Sequence, residues 1–62
     1  MSKSFYFPRR WYEMVKELNE ESRGYVYDAI INYMLYGNDA EGLPAVAQLV
    51  FDEMKRDAAN YE

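Results

Sequence analysis

Histidine and cysteine carry much of the nucleophilic and acid–base chemistry of proteins, and this chain contains neither. Threonine is absent too, which leaves Ser2, Ser4 and Ser22 as the aliphatic hydroxyls, none with an obvious base nearby. Carboxylates remain. Glu17, Glu20 and Glu21 cluster at one interhelix junction, and Glu53 and Asp57 stand at i, i+4 spacing. Paired carboxylates can do acid–base work when desolvated, but acids at such places are usually solvated and favour a helix dipole. Without thiolate or imidazole, a metal would have to rely on oxygen ligands. The Asn38–Gly42 loop offers some, yet it lacks the Asp/Asn alternation and distal glutamate of a calcium loop. Neither a GxGxxG nor a P-loop pattern is present. The residues thus give no catalytic set, no cofactor site and no metal site, and an enzyme is not expected.

One segment has a composition suited to nucleic acid. Lys3, Arg9 and Arg10 are interleaved with Phe5, Tyr6, Phe7, Trp11 and Tyr12, and arginines among aromatic rings can clamp single strands. Residues 1–12 carry +3 and residues 13–62 carry −7, for a net −4. The acidic remainder opposes a phosphate backbone. The favoured reading is that the rings pack on the helices while the arginines meet acids. Nucleic-acid contact through Lys3, Arg9 and Arg10 is the alternative. As the reading helix of a helix-turn-helix, the third helix would offer only Lys55 and Arg56 as cations.

The elements that must position these residues are helical. Residues 2–7 read as an extended arm, because Phe7 precedes a proline. If it is strand-like, Phe5 and Phe7 share one side and Tyr6 takes the other. Pro8 suits a first helical turn, and Trp11, Met14, Val15 and Leu18 make a one-sided stripe, which predicts a helix over 8–18. Asn19 as cap, Glu20 and Glu21 in the first turn and Gly37 as stop predict a second over 20–36. After an acidic loop, Pro44 opens a third over 44–60. Its stripe is Val46, Ala47, Val50, Phe51, Met54, Ala58 and Tyr61. The whole of 1–62 then forms one all-α, three-helix domain with an extended N-terminal arm.

The second helix carries more apolar surface than its neighbours can cover. Val26, Ala29, Ile30 and Tyr33 form one face, and Tyr27, Ile31 and Met34 a second. Leu35, Tyr25 and Tyr36 extend the apolar area. Past the first turn only Asp28 and Asn32 make a narrow polar stripe. A helix apolar nearly all round is normally buried on several sides. The first and third helices can each cover one side. That leaves Tyr27, Ile31, Leu35 and Tyr36 as the expected self-association surface, with Tyr33 in the core. A chain of 62 residues without disulfides buries only about 60% of its unfolded surface, so oligomerisation is the available reinforcement. A helical dimer is favoured over higher oligomers. Seven tyrosines suit an interface, since each pairs an apolar ring with a polar tip.

No stretch approaches the ~20 apolar residues of a membrane span, and the N-terminus lacks the apolar core of a signal peptide. A cytoplasmic protein is expected, with no membrane partner.

The runs Ser4-Phe5-Tyr6-Phe7, Trp11-Tyr12-Glu13, Leu18-Asn19-Glu20-Glu21, Tyr27-Asp28-Ala29-Ile30 and Tyr33-Met34-Leu35-Tyr36-Gly37 carry a resemblance over almost the whole chain. Phe51, the Lys55 region and Asn60-Tyr61-Glu62 continue it. The sequence resembles a domain of unknown function found at the N-termini of phage and prophage proteins, some of them replication-associated. It departs from that pattern after Met54, where it is shorter and lacks a proline often present there. The resemblance implies a helical accessory module in a mobile-element setting, and it brings no catalytic residue. Combined with the apolar excess, the expectation is a non-enzymatic, self-associating assembly module. Its partners would be copies of itself and, in such a setting, another phage or host protein.

Overall fold

Prolines stand just outside two of the helices rather than inside them. In the structure, a computed structural model that describes residues 4–60, α1 spans Arg9–Val15, α2 Glu20–Tyr36 and α3 Ala45–Asn60. Pro8 is extended (φ −61°, ψ 145°), and its carbonyl accepts from the Trp11 amide at 3.0 Å. Pro44 likewise accepts from Gln48 at 2.8 Å. The helices expected to open at 8 and 44 therefore begin one residue later. Proline's fixed φ fits a boundary, and its missing N–H costs nothing there.

α1 also ends earlier than Leu18. Lys16 N–H still reaches the Tyr12 carbonyl at 2.9 Å, but Leu18 N–H bonds back only three residues, to Val15 at 2.9 Å. Arg23 Nε donates to the Leu18 carbonyl at 3.0 Å. The reason is the next helix. Asn19 must be extended (φ −70°, ψ 167°) for its side chain to accept from Ser22 N–H at 2.8 Å. Residues 16–18 are spent reversing the chain into that cap. At its other end, α2 stops on Gly37 in the left-handed region (φ 74°), where the Gly37 and Asn38 amides return to Tyr33 and Asn32 at 2.9 and 3.3 Å. Glycine reaches that conformation without a Cβ penalty.

The core comprises Trp11 and Val15 from α1, Val26, Ala29 and Ile30 from α2, and Ala47, Phe51, Met54 and Ala58 from α3. The shared element is α3, against which both α1 and α2 pack. The expected arrangement, with the first and third helices flanking the second, is corrected on this point. The arm supplies much of the cover between α1 and α2. Phe7 meets Trp11 edge-on (5.4 Å, 82°) and lies 6.2 Å from Tyr27, with Phe5 6.4 Å beyond. Phe5 and Phe7 are half-buried and Tyr6 points outward, as strand-like alternation requires. On the other flank Tyr33 sets its edge on Phe51 at 6.0 Å.

Val46 was expected in the core, and it is 51% exposed beside Leu49 at 67%. The polar contacts of α1 with α3 fall at Glu53 and Asp57, in the second half of α3. A seven-residue helix is about 10 Å long and does not extend over the first turn of α3. Tyr61, the last member of the expected stripe, lies outside the described residues. Among those described, no helix is long and apolar enough to cross a membrane.

Candidate interaction surface

The carboxylates that might have worked as a catalytic pair are tied to a cation. Arg10 Nε sits 2.9 Å from Asp57 Oδ2, and another guanidinium nitrogen 3.9 Å from Glu53. Asp57 also accepts from the indole Nε1 of Trp11 at 3.1 Å. The pair is a strut that fastens α1 to α3. Glu17, Glu20 and Glu21 are exposed at the α1–α2 junction. Glu13 lies 3.8 Å from both Arg9 and Lys16. Among the described residues no group of three or more acidic side chains is placed to hold a metal ion.

A second strut holds the α2–α3 loop. Lys55 Nζ is 2.8 Å from Asp39 and 3.6 Å from Asp52, and it lies 4.8 Å above the Phe51 ring. Its pKa is raised above the ordinary lysine value, chiefly by the hydrogen bond to Asp39, with desolvation opposing. Arg56 pairs with Glu53 of its own helix.

The residues named for nucleic-acid contact are placed differently from one another. Lys3 lies outside the described residues. Arg9 is 91% exposed along its side chain, while Arg10 is engaged by the acids of α3. Trp11 is buried and Phe5 and Phe7 are half-buried against the core, while Tyr6 and Tyr12 are exposed.

The four residues expected to associate are placed unequally. Ile31 is 40% exposed and Tyr36 67%, so both present apolar area to solvent. Leu35 is half-buried. Tyr27 is half-buried too, with its ring against Phe7 of its own chain. Tyr33 packs on the core. Sequence reasoning missed Leu49 and misassigned Val46, and together they add a second exposed apolar patch at the start of α3. A signal existed for Leu49, because it is the one large aliphatic residue on the otherwise polar side of α3.

The polar stripe of α2 borders a shallow groove of about 240 Å³ between α2 and the loop that follows it. Asp28 and Asn32 line it from α2, and Asn38 and Asp39 from the loop. Tyr25, Ala29, Ala40 and Leu43 give it an apolar lining. Asn32 Nδ2 donates to the Asp28 backbone carbonyl at 2.8 Å, and Asp28 is exposed.

Residues 4–62 match a family of unknown function, DUF6291, and the chain belongs to that family. Comparison with curated proteins and with solved structures returned no match.

Proposed function

We propose that this chain is a non-enzymatic, self-associating assembly module whose contact surface is the side of α2 turned away from α3, centred on Ile31, with Tyr36 flanking it across the Asp28–Asn32 stripe. The observation that carries the reading is the exposure of those side chains in a domain with so small a core. Leaving large apolar side chains in water forgoes about 1.5–3 kcal/mol for each that a partner could bury fully. A partner copy covering α2 would recover part of that. Leu35 and Tyr27 border the same surface and would gain further cover in a dimer. A twofold arrangement is the simplest, since one patch then serves both subunits. The phage or prophage replication setting and a cytoplasmic location belong to this proposal as well, and both rest on the sequence pattern. Size exclusion with light scattering at tens of micromolar tests the reading. The expected mass is at least twice the 7.4 kDa of one chain. A folded monomer at that concentration would remove self-association tighter than about micromolar.

A further inference from the structure

We propose that the groove between α2 and the α2–α3 loop is a docking site for one lysine or arginine side chain presented by a partner protein. Charge decides the chemistry of the occupant. Asp28 and Asp39 are the charged residues of the lining, and since Asp39 is already paired with Lys55 at 2.8 Å, Asp28 carries the unmatched charge. Among the described residues, no basic side chain pairs with the Asp28 carboxylate. The C-terminal end of α2 lies beside the groove through Asn32 and Asn38, and the last turn of α2 contains no basic residue. That end is the negative pole of the helix dipole and favours a cation. The side-chain oxygens of Asn32 and Asn38 add neutral acceptors.

Shape decides the rest. Tyr25, Ala29, Ala40 and Leu43 offer apolar cover for an aliphatic stem, while the open mouth leaves the charged head hydrated beside the Asp28 carboxylate. A lysine or arginine has this division between stem and head, whereas a neutral apolar side chain would leave Asp28 unmatched and an anion would be repelled. The protein already uses the same combination once. Lys55 lays its ammonium over the Phe51 ring and against Asp39, and it is not part of the groove lining. The groove presents a carboxylate next to an aromatic ring again, at Asp28 and Tyr25, with no cation of its own.

The test uses the full chain, isotopically labelled, and three capped tripeptides that differ only at the central residue: lysine, norleucine and glutamate. The lysine peptide is expected to give saturable shifts at millimolar concentration, confined to the amides of Ala40 and Leu43 and the side-chain amides of Asn32 and Asn38. Norleucine and glutamate peptides are expected to give none that saturate. Asp28→Asn should weaken the lysine peptide by about fivefold, the scale of one exposed ion pair. Equal shifts from the norleucine peptide would overturn the proposal. So would lysine shifts spread over the acidic surface, or the absence of saturation. Should Asp28→Asn fail to fold, the lysine–norleucine comparison on the unaltered chain decides the matter. The site does not rest on self-association, and light scattering on the same sample reports that property separately.

Discussion

Replacing Asp57 with alanine should release α1 from α3. Trp11 is fully buried, and its indole N–H donates to Asp57 at 3.1 Å. Removing the acceptor orphans a buried donor, which costs about 1–3 kcal/mol. The Arg10–Asp57 pair is also lost at 2.9 Å, but Arg10 is more than half exposed, so that term is only about 0.2–1 kcal/mol. The two overlap, because Arg10 can turn toward Glu53, and a net loss of about 2 kcal/mol is expected. A chain of this length has a total stability of about 3–9 kcal/mol, so the change is a large share of it. The melting temperature should fall by about 8–16 °C, at 4–8 °C per kcal/mol for a domain this small. Trp11 is the sole tryptophan, so its fluorescence reports the contact directly. Urea unfolding of the native chain, Asp57→Ala, Trp11→Phe and the double variant, all at one protein concentration, closes the cycle. The Asp57→Ala cost should shrink by at least half when Trp11 is already phenylalanine. A cost under about 0.5 kcal/mol, the scale of an ordinary surface substitution, would refute the reasoning. An undiminished cost in the Trp11→Phe background would refute it as well.

Other consequences follow from the loop and its tether. Gly37→Ala places a Cβ at φ 74° and should cost about 1–2 kcal/mol by thermal melt, while open space around the site means no steric clash adds to it. Lys55→Met removes the tether to Asp39. The folded-state pKa of Lys55 is raised, so its contribution is fully present below the ordinary lysine value and is lost as pH rises through the folded value. The native chain should therefore lose stability relative to Lys55→Met as pH rises from the ordinary lysine value through the raised folded one. The difference between the two melting curves isolates the effect, since every other group is common to both. A difference that is constant across that range would contradict the tether.

The helices were legible in the sequence where a cap or stop residue marked them. Asn19 and Gly37 set the limits of α2 because each does a backbone task that few residues can do. The end of α1 was not legible, because Leu18 continues the apolar stripe and only the demands of the Asn19 cap cut the helix short. Periodicity named the core of α3 from Ala47 to Ala58 but overreached at Val46. A stripe says which residues share a face, and it does not say how far the neighbouring helix extends along that face. The same gap put α2 at the centre of the fold, where α3 stands. Periodicity also could not show that the arm would lay Phe7 across Tyr27, which turned one expected contact residue partly inward. The groove beside Asp28 was invisible for another reason: half its lining comes from a loop whose path depends on Gly37 and the Lys55 tether.

The central claim is that Ile31 and Tyr36 lie where copies of this chain meet. Sedimentation equilibrium of the native chain and Ile31→Asp, over a range of concentrations and with helix content followed by circular dichroism, tests it most directly. The native chain should fit a reversible dimer or larger assembly, and Ile31→Asp should fit the 7.4 kDa monomer with its helix content kept. Equal association of both proteins, or a native chain that stays monomeric at every concentration, would contradict the account.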